Sequence, residues 1–160
     1  SIAFEQNDFE QAIVWYQKAL QIEPNLPEVY FDLGILYHTQ NNLPAAKEVY
    51  QQAISLNPNF TKAHHNLAQL FYTQREFDLA IQHYHKALKA DPTYAPSAFN
   101  LGLLFQEQKQ LYWAREWYET ALKLNPDYSE VYLNLGMIFQ QQGQFDEAEK
   151  HFLQALAKND

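Results

Sequence analysis

The sequence lacks the residues on which several kinds of chemistry depend. It contains no cysteine, which excludes disulfide bonds and thiolate chemistry, and only four glycines, which leave little room for a phosphate-cradling loop. It also carries no Ser/His/Asp arrangement or paired-carboxylate signature of the kind that indicates catalysis. We therefore predict that the protein is not an enzyme, has no catalytic residues and binds no cofactor.

Basic residues are also scarce. The chain has 11 Lys and Arg against 19 Asp and Glu, which gives a formal net charge of −8. Proteins that bind nucleic-acid backbones usually carry a basic stripe, and anionic membranes attract polybasic segments. The charge balance therefore predicts neither a nucleic-acid partner nor binding to an anionic membrane surface.

Long hydrophobic runs are missing as well. No apolar run approaches the roughly 20 residues that a transmembrane helix needs, and the first residues show no signal-peptide pattern. The sequence therefore predicts no membrane insertion and a cytoplasmic location.

The histidines do not form a metal-binding pattern. His64 and His65 are neighbours, and His83 and His85 are two residues apart. On a helix such side chains point in different directions, and no pair has the spacing of four residues, with a third ligand, that a zinc site requires. We expect no metal site, and interpret these histidines as packed or solvated.

What the sequence does contain is an internal repeat. Four prolines recur at intervals of 34 residues: Pro24, Pro58, Pro92 and Pro126. A fixed period of this length indicates a stacked array of similar units. The array is divided as a partial repeat at 1–26, complete repeats at 27–60, 61–94 and 95–128, and a truncated repeat at 129–160. Repeat positions are counted below from the first residue of each repeat.

Each repeat predicts two amphipathic helices. In the first helix, apolar residues at positions three, four, seven, ten and eleven form one stripe, as in Val29, Tyr30, Leu33, Leu36 and Tyr37. The second helix repeats a pattern of alanine, aromatic, alanine and aliphatic, as in Ala46, Tyr50, Ala53 and Ile54. Its small alanines allow two helices to approach to roughly 8–10 Å.

Short polar turns join the two helices. Asn41 and Gly143 suit the left-handed backbone conformation that often ends a helix, and Arg75 and Lys109 occupy the same place at a small local cost. At the beginning of the chain, residues 1–5 supply only the tail of a first helix. No polar capping helix is evident, so we expect a segment of a longer array or ends covered by partner chains.

These residues resemble the tetratricopeptide repeat (TPR) family. The family pattern matches Tyr30, Leu33, Gly34, Tyr37, Ala46, Tyr50 and Pro58, and it recurs in the later repeats. His64 and Ala98 depart from it by replacing the first aromatic residue, and Ala68 replaces the glycine. The resemblance implies an all-α fold, a right-handed α-solenoid of stacked antiparallel helix pairs, with the first helices lining its concave face.

Candidate binding residues are those that the packing stripe leaves over. Positions five and nine lie opposite the stripe and predict an apolar groove, formed by Phe31, Ile35, His65, Gln69, Phe99, Leu103, Leu133 and Met137, with Tyr72 one turn further along. The alternative is that position five packs against a neighbouring helix, as is common in TPR proteins.

Position six adds polar groups to this predicted groove. It holds Asp32, Asn66, Asn100 and Asn134. An asparagine can pair with the backbone of an extended peptide whatever its sequence. The arrangement resembles the asparagine ladder in the TPR superhelix of O-linked N-acetylglucosamine transferases. The alternative is that asparagine at position six has a framework role common to TPR proteins.

We therefore predict a non-catalytic scaffold that binds a peptide or protein segment of a partner. Two alternatives stay open: a self-assembling homo-oligomer, and a substrate-recruiting module of a larger enzyme such as a glycosyltransferase. Trp113 and Trp117 share a face of one second helix, which favours packing between helices or else an outer contact with another protein.

Overall fold

The computed structural model of the chain describes residues 2–158, with side chains from residue 8 onward. The described residues form α-helices and no strands. The helices are α1 (Ile2–Ile22), α2 (Pro27–Thr39), α3 (Leu43–Leu56), α4 (Thr61–Thr73), α5 (Phe77–Ala90), α6 (Ala95–Glu107), α7 (Leu111–Leu124), α8 (Ser129–Gln141) and α9 (Phe145–Ala157). The predicted all-α fold of stacked helix pairs is confirmed.

The chain divides into two compact units. Residues 1–90 form the first unit, in which α2 packs on α3, α4 packs on α5, α3 also contacts α4, and α1 contacts α2. Residues 91–160 form the second unit, in which α6 packs on α7, α8 packs on α9, and α7 contacts α8. Each unit thus contains two complete pairs of a first and a second helix.

The turn within each pair has the left-handed conformation expected from the sequence. The φ angles are 57° at Asn41, 61° at Arg75, 59° at Lys109 and 75° at Gly143. Asparagine and glycine adopt this conformation at low cost, whereas arginine and lysine incur a steric penalty at Cβ. The backbone amide of the next residue closes the turn. Asn42 N, for example, donates a hydrogen bond to the carbonyl of Tyr37 at 2.8 Å.

Glycine at position eight allows the helices of a pair to approach closely. A methyl group added at Gly34 would overlap the ring of Tyr50, and one added at Gly102 would overlap the ring of Tyr118. Gly136 stands in the same relation to Phe152. The aromatic side chain of the second helix therefore fills the space that the missing side chain leaves.

The alanines of the second helix lie in the core. Ala46, Ala53, Ala114 and Ala121 are fully buried, as are the rings of their neighbours Tyr50 and Tyr118. At roughly 25 cal/mol per Å² of apolar surface removed from water, these stripes supply a large share of the stabilisation of each pair. The packing role predicted for both helices agrees with the structure.

The beginning of the chain differs from the prediction. The repeat pattern predicts a first-helix tail at residues 1–5, then a turn, then a second helix. The structure instead has one uninterrupted helix from Ile2 to Ile22.

Candidate interaction surfaces

The predicted groove residues at position five are largely packing residues in two repeats. The ring of Phe31 lies 5.8 Å from that of Tyr50 and 5.0 Å from that of Phe60. Phe99 lies 6.0 Å from Tyr118 and 4.8 Å from Tyr128 in the same way. Both phenylalanines are half-buried. Packing between helices, the alternative considered for position five, therefore accounts for much of their surface.

The sequence reasoning missed the aromatic residue that precedes a first helix. Phe60 and Tyr128 lie immediately before α4 and α8, and each contacts the position-five phenylalanine of its own repeat. Tyr94 occupies the same place before α6. The signal was available, because an aromatic residue recurs there at the repeat interval.

His65 does not contribute to an exposed surface. Its side chain is only 6% exposed, and its ring lies 5.5 Å from the ring of Tyr84. Burial disfavours the charged imidazolium and lowers the pKa of His65 to about 4. His65 is therefore a neutral packing residue, unlike the groove residue expected from its repeat position.

The position-six residues of the first unit hold a tyrosine of the preceding second helix. The side-chain amide of Asn66 donates a hydrogen bond to the hydroxyl of Tyr50 at 3.1 Å. Burial raises the pKa of Tyr50 to about 12, although the bond from Asn66 opposes this shift. Asp32 accepts a hydrogen bond from Tyr16, whose pKa is raised by burial first and then by the negative charge of Asp32.

These bonds give position six a framework role in the first unit. Asn66 still has one amide hydrogen and its carbonyl oxygen for other contacts. Asn100 and Asn134 of the second unit are half-buried, which leaves part of each amide accessible to solvent.

Exposed apolar side chains lie at position nine and, in the last repeat, also at position five. Met137 is 45% exposed, and Leu133 lies exposed one turn before it on the same face of α8. Leu103 on α6 is half-buried. We call Leu103, Leu133 and Met137 the apolar first-helix surface of the second unit. In the first unit Ile35 is exposed, whereas Gln69 and Tyr72 are half-buried, and the ring of Tyr72 lies 6.0 Å from that of Phe77.

A shallow groove lies beside two of the predicted residues in the first unit. It has a volume of about 570 Å³, and its lining includes Phe31, Asp32, Asn57, Asn59 and Phe60. The groove combines aromatic surface with amide and carboxylate groups. This combination can accept both an apolar side chain and backbone N–H groups.

Two histidines contact each other between α4 and α5, with their ring planes tilted by 41°. His64 Nε2 donates to the carbonyl of Pro58 at 3.0 Å, so His64 Nδ1 carries no hydrogen in the neutral ring. His64 Nδ1 therefore accepts from His83 Nδ1, which lies 3.1 Å away. Burial lowers the pKa of both rings, that of His83 to about 4. Residues 2–158 contain no group of three side chains arranged to hold a metal ion.

Models of the family match successive parts of the chain. A TPR repeat matches residues 1–41, and two tetratricopeptide repeat models match residues 31–95 and 94–158. The chain belongs to the tetratricopeptide repeat family. TPR proteins bind protein or peptide partners, and the fold is that of a protein-interaction scaffold.

Solved TPR structures have the same fold as this chain. A crystal structure of MamA is 28% identical, with a TM-score of 0.86 over 97% of this chain and 91% of that chain. PilF of Pseudomonas aeruginosa is 23% identical, with a TM-score of 0.88 over 97% and 71%. YrrB, a TPR protein with an unusual peptide-binding site, is 16% identical, with a TM-score of 0.74 over 98% and 81%. No curated protein matches the sequence significantly.

The departures from the TPR pattern have a packing explanation. His64 replaces the first aromatic residue opposite His83, whereas Tyr132 keeps it opposite His151, with ring centroids 5.2 Å and 6.3 Å apart. Ala98 occupies the same repeat position opposite Trp117. A small residue in the first helix therefore accompanies the largest residue in the second.

Other apolar surface lies outside the first helices. Tyr112 and Trp113 are exposed on α7 and meet edge to face, with ring centroids 5.1 Å apart. Trp113 thus faces solvent, whereas Trp117, one turn later, is half-buried. None of the helices in the described part of the chain is long and apolar enough to cross a bilayer.

Proposed function

We propose that this TPR protein binds a peptide or helical segment of another protein through its first helices. The observation that supports the proposal is the apolar first-helix surface of the second unit, where Leu133 and Met137 are exposed on a regular helix. Contiguous exposed apolar side chains usually mark a contact site. Asn134 follows Leu133 in the sequence, Asn100 lies one helical turn before Leu103, and both supply hydrogen-bonding groups.

The energetics require both kinds of contact. Burial of a large apolar side chain contributes roughly 1.5–3 kcal/mol, whereas association and ordering cost about 4–15 kcal/mol. Three apolar side chains alone would therefore support weak binding. Hydrogen bonds from the asparagine amides to a peptide backbone, each contributing about 0.5–1.5 kcal/mol, bring the total into the range of a specific interaction.

A charge placed on this surface tests the proposal. Leu103→Lys and Met137→Lys should abolish capture of the partner from native lysate while helicity and melting stay nearly unchanged, because neither side chain is fully buried. Phe145→Lys is the matched control, since Phe145 is exposed on a second helix. Capture that survives both first-helix variants, or a Leu103→Lys chain that unfolds, would count against this surface.

A photoreactive residue at position 137 sharpens the result. Partner peptides should cross-link from position 137 and not from position 145. The cross-linked peptide would also identify whether the segment is extended or helical. Equal cross-linking from both positions would show that the apolar first-helix surface is not the contact site.

Self-association is the second candidate function. Phe145, Leu153 and Leu156 are exposed on α9 and give that helix an apolar surface. Light scattering over a concentration series tests this, with Leu153→Lys as the variant that should restore the monomer. A monomer at all concentrations would exclude self-association.

A further inference from the structure

The shallow groove of the first unit combines two packed aromatic rings with two carboxylates. The rings of Phe31 and Phe60 lie 5.0 Å apart with their planes tilted by 40°, and both are partly accessible to solvent. Glu28 and Asp32 line the same groove, which has a volume of about 570 Å³. Its lining comes from α2, from the connection between α3 and α4 and from the start of α4, so the groove lies within the first unit.

The two carboxylates are available to a cation. Glu28 and Asp32 are separated by about one turn of α2, so their side chains lie on the same face of that helix. Like charges at this spacing repel each other, and a cation that binds to both relieves the repulsion. Asp32 accepts a hydrogen bond from Tyr16, but an ionised carboxylate has about four acceptor sites. Within the described side chains, residues 8–158, neither carboxylate has an ion-pair partner.

The second unit has the same aromatic pair without carboxylates on its helix. Phe99 and Tyr128 occupy the repeat positions of the two rings in the first unit, with ring centroids 4.8 Å apart. The repeat positions of the two carboxylates are held by Pro96 and Asn100, which are uncharged. The aromatic pair is therefore part of the repeated fold, whereas the charge beside it is particular to the first unit.

The acidic residues of the second unit are placed differently. Asp127 forms an ion pair with Lys158, and Glu130 lies on α8, at the repeat position that Lys62 has on α4. In the first unit, both carboxylates lie on α2, the same helix as Phe31. Only the first unit thus places acidic groups beside the ring of its position-five phenylalanine on one helix.

The first unit already contains the kind of contact that such a groove favours. The guanidinium of Arg75 lies over the ring of Phe77, 5.1 Å from its centroid, and Lys47 Nζ lies 4.5 Å from the centroid of Phe71. A guanidinium is planar, so it can lie on an aromatic face and also donate two hydrogen bonds to a carboxylate. The groove offers both kinds of partner side by side.

We propose that this groove binds an arginine side chain of a partner protein. The guanidinium packs on the rings of Phe31 and Phe60 and pairs with the carboxylates of Glu28 and Asp32, while the apolar stem of the arginine lies along the ring surface. Lys62 also lines the groove and directs the cation toward α2, because like charges repel. The site goes beyond the proposed function, which rests on the apolar first-helix surface of the second unit.

N-acetyl-arginine amide provides the probe. Its addition to the isotope-labelled chain should shift the backbone amide resonances of Phe31, Asp32 and Phe60 in NMR spectra, and those of Phe99 and Tyr128 much less. N-acetyl-citrulline amide is the matched control, since it has the same shape without the charge. It should bind at least about fivefold more weakly, because charge-assisted hydrogen bonds are the stronger ones. N-acetyl-lysine amide should also bind more weakly, because an ammonium cannot pair with a carboxylate as a planar fork.

Variants of the groove test the role of each charge. Asp32→Asn should weaken arginine binding at least about fivefold, and the fold should be retained because asparagine can still accept from Tyr16. Adding Glu28→Gln should weaken binding further. Lys62→Gln should strengthen it, since the variant removes a positive charge from the groove. The control is Asp146→Asn, which removes an exposed carboxylate of the second unit and should leave the titration unchanged.

The second unit allows the converse experiment. Pro96→Glu combined with Asn100→Asp places two carboxylates beside Phe99 and Tyr128, and arginine should then shift the amide resonances of these two residues. Asn100→Asp alone leaves the backbone at Pro96 unchanged and should give part of the effect. Circular dichroism shows that each variant is folded.

Four results would overturn the proposal. Two are equal binding of the arginine and citrulline derivatives, and binding of the lysine derivative that is as tight as that of arginine. The third is a titration that Asp32→Asn with Glu28→Gln does not weaken in a folded chain. The fourth is a shift of the same amides when the chain alone is concentrated, since a second copy would then occupy the groove. Leu103→Lys should leave the arginine titration unchanged, so failure of this proposal is distinguishable from failure of the proposed function.

Discussion

Helices α1 and α7 carry the same residues at the same repeat positions and have different surroundings. Ala12, Trp15 and Ala19 in α1 correspond to Ala114, Trp117 and Ala121 in α7. In α7 both alanines are fully buried and Trp117 is half-buried. In α1 both alanines are half-buried and Trp15 is exposed. The difference arises because α7 packs on the first helix of its own repeat, α6, whereas α1 contacts α2, the first helix of the following repeat.

The comparison shows what the repeat pattern specifies. The spacing of alanine and aromatic residues determines which face of a second helix is apolar. It does not determine whether that face is covered, because coverage depends on another segment of polypeptide. The same three residues can therefore form part of a core or part of a more exposed surface.

The largest expected difference between the two helices follows from a buried charge. Ala121→Asp should destabilise the protein by about 3–5 kcal/mol, because the carboxylate has no partner in the core. Ala19→Asp should cost less than about 1 kcal/mol, since its side chain can reach water. Urea denaturation followed by circular dichroism measures both. Equal losses of stability would show that α1 is covered as fully as α7.

A smaller effect is expected from overfilling the space beside Trp117. Ala98→Tyr should cost about 1–3 kcal/mol, because Trp117 already occupies that volume. Adding Trp117→Val to the same chain should recover at least half of the loss, since Tyr30 and Val49 form such a pair in the first complete repeat. A double-mutant cycle with Trp117→Val alone gives the coupling energy, and strictly additive effects would refute the predicted contact.

The smallest effect is the pH dependence of stability. It concerns His64 and His83, which occupy the repeat positions of Ala98 and Trp117. Burial lowers the pKa of His83 to about 4 in the folded protein, against 6.5 in the unfolded chain. The unfolded chain therefore binds more protons between these values. The contribution of neutral His83 to the stability of the fold is therefore fully present above pH 6.5. It is lost progressively as the pH drops toward 4.

Thermal melting between pH 7.5 and pH 5 measures this dependence. His83→Gln should flatten the profile relative to wild type, although His65 still contributes, because burial lowers its pKa to about 4 as well. The control is His151→Gln, since the ring of His151 donates through Nδ1 to its own helix, at the carbonyl of Glu147. Parallel profiles for wild type and His83→Gln would contradict the role of the histidine pair.

The repeat positions predicted which residues of the candidate surface face away from the packing stripe. They did not predict how deeply each side chain is buried. The exposed side chains of Ile35, Leu133 and Met137 agree with the expectation that positions five and nine face away from the packing stripe. His65 does not, because Tyr84 and the surrounding core enclose its ring. That these residues bind a partner stays a prediction.

The aromatic contacts of position five illustrate the same limit. Phe31 and Phe99 were assigned to the groove from their spacing, but each ring packs against an aromatic residue of another helix and one preceding the next first helix. Spacing along one helix cannot show these neighbours, because they come from segments about 20 to 30 residues away. The recurrence of Phe60, Tyr94 and Tyr128 at the repeat interval was the available signal.

The sequence by itself determined the helix pairs, the turns and the apolar face of each helix, because these depend on local spacing and on backbone conformations that particular residues favour. The tertiary structure decided how much of each face is covered. Coverage depends on the sizes of side chains that meet from different helices, as with Gly102 and Tyr118. In α1, the same residues are more exposed because the described chain contains no first helix of that repeat to cover them.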